Sequence, residues 1–197
     1  PVEVDLGCGK GRFLLARAVR HPERNWIGTD IQYGRLVKIR SRAEQANLSN
    51  LRLLHTETAY ALEYLLPPGS VRTFFLFFPD PWPKRKHHRR RLVQAEFFTL
   101  IHRALEPGGT LHVATDHAAY FNQIQQAAQA DPRFLRASPF VPEATEKTEF
   151  ETLFSAQGLP ITDIPVKNNR LPDRSIRAPL FRSPDKTFLL HLLCFMI

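Results

Sequence analysis

Asp80 stands between two prolines where an apolar run ends, in Phe77-Phe78-Pro79-Asp80-Pro81-Trp82-Pro83, and the cationic segment Lys84–Arg91 follows at once. Pro79 and Pro81 fix their own φ angles, and Pro81 drives Asp80 away from helical geometry. One carboxylate is thereby presented on a stiff turn. Six of the chain's 27 Lys and Arg fall within Lys84–Arg91, which concentrates positive charge where a polyanion would be held. Trp82 is read either as a surface on which a base stacks or as packing beneath the turn. A second constellation lies near the start, Asp5-Leu6-Gly7-Cys8-Gly9-Lys10-Gly11. Gly7, Gly9 and Gly11 let the backbone come close to a bound nucleoside. An acid directly before that turn repels a pyrophosphate and suits the ammonium of a methionine moiety, so the pattern favours S-adenosylmethionine over NAD. Asp30, 19 residues after Gly11, is placed to accept hydrogen bonds from both ribose hydroxyls of an adenosine. Glu57 is placed near the adenine amine, with a helix N-terminal acid as the plainer reading, and Thr58 or Ala59 offers backbone contacts to the base. Asp116, in Ala114-Thr115-Asp116-His117, reads as an N-cap, a substrate acceptor, or both. His87, His88 and His117 lack any zinc-type Cys/His spacing, so no metal is expected.

Such residues need a frame that carries distant segments to one edge. Apolar runs predict strands over Val2–Leu6, Asn25–Asp30, Leu51–His55, Arg72–Phe78 and Thr110–Thr115. Helical spacing predicts Arg12–Arg20, Gly34–Ala46, Ala59–Leu66, Leu92–Leu105 and Ala118–Ala130 between and after them. Five alternations of strand and helix imply an α/β fold: a doubly wound, mostly parallel sheet, helices on both faces, and a ligand site at the carboxyl ends of the strands. Asp5, Asp30, Glu57, Asp80 and Asp116 all fall at that edge. Phe134–Ala137 and Ile161–Val166 are expected as a closing antiparallel pair, with a short helix over Thr148–Ala156. Residues 1–166 then form one domain, and 167–197 an extension packed on it, with no role assigned.

The chain has 197 residues, 43% hydrophobic and 23% charged, with a formal charge of +8 and a pI near 9.9. That suits a single globular domain with a polyanionic partner. Cys8 and Cys194 alone make neither a disulfide framework nor a metal site, and a reducing cytoplasm is expected. The apolar Phe188–Ile197 is too short to span a membrane and reads as a buried strand. Residue 1 already begins a strand, so no signal peptide is read, and an upstream segment is left open. Together these features point to methyl transfer onto nucleic acid.

The motifs also carry a resemblance. Asp-x-Gly-x-Gly-x-Gly, then Phe-Pro-Asp-Pro-Trp-Pro-Lys-Arg-Lys-His, then Ala-Thr-Asp, then Thr148-Glu149-Phe150-Glu151, resemble the tRNA (guanine-N7)-methyltransferases over about Val2 to Val166. The resemblance implies a Rossmann-like class I methyltransferase fold, S-adenosylmethionine as cofactor and tRNA as partner through the loop Lys84–Arg91. It matches Asp5, Asp30, Glu57 and Asp80 to cofactor positions, and Asp80 also to the catalytic acid. Lys84, Asp116 and Thr148–Glu151 match substrate positions. The family pattern has Lys where Glu149 stands, Asp where Glu57 stands, and often Glu at Asp5 and Asp30. Two other readings remain: an exocyclic-amino methyltransferase, which carries a similar Asp/Asn-Pro-Pro-aromatic segment, and a basic RNA-binding module without activity. Oligomeric state has no signal in the sequence.

Overall fold

The computed structural model describes residues 1–156 and 162–170. Seven strands form one sheet: β1 (Val2–Leu6), β2 (Asn25–Asp30), β3 (Leu51–His55), β4 (Val71–Phe77), β5 (Leu105–Thr115), β6 (Phe134–Arg136) and β7 (Thr162–Asn168). Their order is β3-β2-β1-β4-β5-β7-β6. The first five run parallel, and β7 is antiparallel to both β5 and β6. β1 sits centrally, paired with β2 through Asp5↔Gly28 and with β4 through Asp5↔Phe75. Asp30 and the Asp80 turn therefore leave the sheet at one edge, on either side of Asp5. β7 continues two residues past the expected domain limit at 166. The expected strand Phe188–Ile197 and the stretch Leu171–Asp185 lie outside the described residues.

Alternation along β1 turns Val4 and Leu6 to one face of the sheet and the buried Glu3 and Asp5 to the other. Val4 and Leu6 face a large cluster with Leu62, Phe97, Phe98, Ile101, Tyr120 and Ile124, built on α4 (Ala95–Ala104) and α5 (Ala118–Ala130). The opposite cluster joins Phe13, Leu14, Trp26, Leu36, Ile39 and Phe75 under α1 (Arg12–Arg20) and α2 (Tyr33–Gln45). Fully burying side chains of this size contributes about 1.5–3 kcal/mol each, an upper estimate for a compact unfolded state.

Four expectations change in detail. The helix read over Ala59–Leu66 is one α turn, α3 (Thr58–Tyr60), running into a π turn, Ala61–Leu65. The Arg103 guanidinium donates to the carbonyls of Leu62, Glu63 and Leu66 and so satisfies that widened end. β5 starts at Leu105, not Thr110. Its ladder with β4 jumps from Val71↔Leu105 to Thr73↔Thr110, so Glu106–Gly109 bulges out and Asn168 Nδ2 holds the Leu105 and Glu106 carbonyls at 3.2 and 3.1 Å. α4 starts at Ala95, not Leu92, because Tyr120 takes the Val93 amide at 3.1 Å and Gln94 binds the Arg91 carbonyl at 2.8 Å. The basic loop is itself a 3₁₀ turn, Arg85–Arg90.

Candidate active site

The glycine turn joins β1 to α1 with Gly7, Gly9 and Gly11 at φ of 74°, 58° and 75°, left-handed values that cost an L side chain roughly 1–2 kcal/mol. At Gly11 a Cβ would also come within 2.5 Å of Ile39 Cγ1, so the turn lies directly against α2. Nothing occupies the space where a Cβ of Gly7 or Gly9 would stand. The Gly7 amide donates to Thr29 Oγ1 at 3.2 Å and the Gly9 amide to Asp30 Oδ2 at 2.9 Å. Asp30 Oδ1 receives the Gln32 amide at 2.7 Å. Asp30 is thus aimed from both sides, with a lone pair left on each oxygen.

Asp5 is 4% exposed and has no ion-pair partner among the described residues. Burial, then the charge of Asp30, then that of Glu149, pushes its carboxyl up to about 8. A buried acid facing other acids needs a cation or a proton. Beyond Asp30 the apolar Ile31 is 64% exposed, and Tyr33, also exposed, meets the His55 ring edge-on at 5.5 Å. An open glycine cradle, an uncompensated buried acid and a flat apolar rim fit a nucleoside carrying positive charge, which is the make-up of S-adenosylmethionine.

Glu149 arrives from far along the chain. After β6 the backbone returns across the sheet. Phe140 packs against Phe13, Phe75 and Phe77, with centroids 5.9, 5.1 and 6.1 Å apart. The buried Glu146 meets Arg17 of α1 at 3.0 Å. This strap delivers α6 (Glu149–Ala156) to the cofactor rim, where Arg12 donates to Thr152 Oγ1 at 3.2 Å. Thr148 and Glu151 form a reciprocal capping box: Thr148 Oγ1 accepts the Glu151 amide at 2.9 Å, and the Thr148 amide binds the Glu151 carboxylate. Burial nonetheless raises the Glu151 carboxyl above its ordinary value. Phe150 is exposed, its ring 6.0 Å from Phe78.

The Asp80 turn is strained on either side of Pro79-Asp80-Pro81. Phe78 and Trp82 have φ of 54° and 41°, a region that costs a non-glycine residue roughly 1–3 kcal/mol and recurs at functional sites. Asp80 itself is exposed, and its charge reaches Tyr120, whose hydroxyl is raised chiefly by burial. Trp82 packs rather than standing free: Arg90 lies 5.1 Å over its face and His87 meets its edge at 5.8 Å. Arg91 departs from its expected place in the phosphate-binding run. It is 4% exposed, donates to the Pro81 carbonyl at 2.7 Å and to Gln123 at 2.5 Å, and covers the Tyr120 ring at 4.7 Å. Pro81 gives the turn a carbonyl with no ladder partner, and Arg91 satisfies it.

Asp30 and Glu149 therefore both come within electrostatic reach of Asp5, and Phe150 joins α6 to the Asp80 turn. Glu57 precedes α3 and is exposed, without a side-chain capping bond, and Thr58 opens that helix half-buried. Asp116 is half-buried and is not the N-cap of α5. That position belongs to His117, whose Nδ1 accepts the Tyr120 amide at 3.2 Å. Sequence reasoning missed Thr29, Ile31, Gln32 and Tyr33, although all flank an acid already singled out. It also missed Glu146, whose partner is 129 residues away and leaves no local signal. Among the described residues no group of three or more His, Cys, Asp or Glu side chains is arranged to hold a metal, and no helix is long and apolar enough to cross a membrane.

The sheet order with its antiparallel β7, and the glycine turn with acids at successive strand ends, define a Rossmann-like class I methyltransferase dependent on S-adenosylmethionine. Solved structures share the fold: an rRNA methylase from Streptococcus thermophilus (TM-score 0.58, 16% identity, 86% of this chain and 87% of that one) and a putative methyltransferase from Streptococcus mutans in complex with SAH (0.55, 16%, 85% and 88%). Residues 1–164 match the family described as putative methyltransferase. The tRNA (guanine-N(7)-)-methyltransferase of Idiomarina loihiensis is 34% identical over 175 residues, 86% of this chain and 71% of that protein. The one from Leifsonia xyli subsp. xyli is 38% identical over 169 residues, 83% and 74%. The chain belongs to the tRNA (guanine-N7)-methyltransferase family.

Proposed function

We propose that this protein methylates N7 of a guanine in tRNA, with Asp5, the glycine turn, Asp30, Glu57 and Thr58 holding the methyl donor. One observation carries the reading: Asp5, buried and without a cationic partner among the described residues, lies at the same sheet edge as the strained Asp80 turn and its basic flank. S-adenosylmethionine supplies an electrophilic methyl on a sulfonium. Guanine N7 has an in-plane lone pair and no proton, so no base is needed to expose it. Positive charge develops on the purine as N7 is alkylated, which makes N1–H and the amino group more acidic. Asp80 and Asp116 accept from those groups, and hydrogen bonds that strengthen on the way to the transition state lower the barrier. Phe150 and the capped start of α6, Thr148–Glu151, line the approach, while Lys84 and the exposed Lys86, Arg89 and Arg90 hold phosphates. A cytoplasmic location goes with a tRNA substrate.

The direct test is incubation of the protein with bulk tRNA and methyl-labelled cofactor, followed by nucleoside analysis. Label in 7-methylguanosine is the expected result. Label on an exocyclic amine assigns the other methyltransferase class, and no label with intact tRNA binding assigns an RNA-binding module. Asp80→Ala should lower kcat by about 100-fold or more, the scale of one preorganised electrostatic group, and near-normal turnover removes Asp80 from catalysis.

A further inference from the structure

Several arginines away from the rim have acidic partners. Arg17 pairs with Glu146 and Arg24 with Glu3. Arg20 meets Glu143, Arg40 meets Glu44, Arg72 meets Glu106 and Arg133 meets Asp131. Lys10, Arg12, Lys38 and Arg42 are all exposed, and none has an ion-pair partner among the described residues. They are also drawn together. Lys38 and Arg42 are one turn apart on α2, the helix that touches the glycine turn at Gly11. Arg42 Nη1 reaches the Lys10 carbonyl at 3.5 Å, and Arg12 begins α1 just beyond. Like charges one helical turn apart repel, and here Lys10 and Arg12 add two more from the neighbouring segment. Lys10 and Arg12 follow β1 and Lys38 and Arg42 follow β2, whereas the Asp80 turn follows β4, on the other side of β1 from β2. β1, which carries Asp5 and leads into the glycine turn, stands between the two strands that lead to α2 and to the basic loop.

We propose that Lys10, Arg12, Lys38 and Arg42 form a second phosphate-binding surface for tRNA, so that the RNA straddles the methyl donor with Lys84–Arg90 on the other flank. The inference rests on the tRNA reading above. It adds that the substrate is gripped from both sides of the reacting base. Such contacts are independent of base sequence, since phosphodiesters are the groups recognised. Arg35 is left out because it lies 3.7 Å from Asp30 and belongs to the cofactor side.

The experiment compares three full-length variants with the parent by tRNA binding over a salt series, using bulk tRNA as probe. Lys38→Gln with Arg42→Gln should reduce the slope of log K against log salt by about 1.4–1.8, at roughly 0.7–0.9 per lost phosphate contact. The KM for tRNA should rise by about 10-fold or more, with S-adenosylmethionine affinity unchanged. Lys38→Arg with Arg42→Lys keeps the charge and should restore the parental slope, which separates charge from packing. Lys84→Gln with Lys86→Gln reports on the other flank. A parental slope in Lys38→Gln/Arg42→Gln beside a reduced one in Lys84→Gln/Lys86→Gln overturns this inference and leaves the tRNA reading intact. Parental slopes in both remove the electrostatic grip on RNA altogether, and the inference with it.

Discussion

Glu3 and Asp5 stand two residues apart on β1, project from the same face of the sheet, and are both buried. Glu3 is met by Arg24 and, at 3.8 Å, by Arg17, which in turn binds Glu146 and lies over the Trp26 and Phe140 rings. Among the described residues Asp5 has no ion-pair partner, and the charges of Asp30 and Glu149 act on it unfavourably. The difference separates two uses of a buried carboxylate. At Glu3 the protein supplies the counter-charge itself and gains a tether for the strap that carries α6. At Asp5 it withholds the counter-charge, and the site stays incomplete until a cationic ligand arrives.

The contrast breaks most visibly at Arg17. Arg17→Met leaves Glu3 and Glu146 buried beside a methylene chain, and removing one partner of a buried ion pair costs about 3–5 kcal/mol. Urea unfolding should show that loss, and a loss under about 1 kcal/mol would mean that water, not Arg17, solvates these acids. Asp5→Asn should behave in the opposite way. It removes a charge the folded protein disfavours, so stability at pH 8 should hold or rise. Titration calorimetry with S-adenosylmethionine should show affinity down by about 10–100-fold, on the scale of one charge-assisted hydrogen bond of roughly 1.5–3 kcal/mol. Parental affinity would remove Asp5 from the cofactor site.

The same pair predicts a pH dependence. Burial, with the charges of Asp30 and Glu149, pushes the Asp5 carboxyl up to about 8 in the folded protein, against about 3.9 when unfolded. Between those values the folded state holds a proton that the unfolded state has released, so stability of the cofactor-free protein falls as pH rises from about 4 to about 8. Asp5→Asn should flatten that slope. A cationic ligand favours the carboxylate, so binding at pH 7 should expel a proton. The apparent heat should then vary with the ionisation enthalpy of the buffer, and heats identical across buffers would show that Asp5 is already charged.

How much of this was legible beforehand follows from range. The β1 turn, Asp30 and the Asp80 turn were readable because each is a local pattern of strand, small residue or proline, and acid. The five parallel strands followed from alternation, and the antiparallel β6–β7 pair from two short apolar runs. Arg91 differs from its expected role because a run of like charges hides a member that turns inward, here toward Pro81 and Gln123. Of the readings open for Asp116 the N-cap falls away, because His117 takes the Tyr120 amide. Glu146 was invisible, since its meaning depends on Arg17 in another part of the chain. α4 began late for the same reason: Tyr120, on α5, claims the Val93 amide.

Glu149 offers the finest adjustment of the comparison. It lies in the first turn of α6, where the helix dipole favours its charge, and where the family pattern carries Lys. Its influence on Asp5 ranks after burial and after Asp30. Glu149→Gln should therefore lower the Asp5 midpoint from about 8 by less than Asp30→Asn does, and proton release on cofactor binding at pH 7 should shrink accordingly. Glu149→Lys should lower it further, because a cation then stands where the structure has an acid, and the demand for a cationic ligand weakens. Affinity for S-adenosylmethionine in that variant should fall below that of Glu149→Gln. Equal affinities in the two variants would show that Glu149 acts on α6 alone and leaves Asp5 to Asp30.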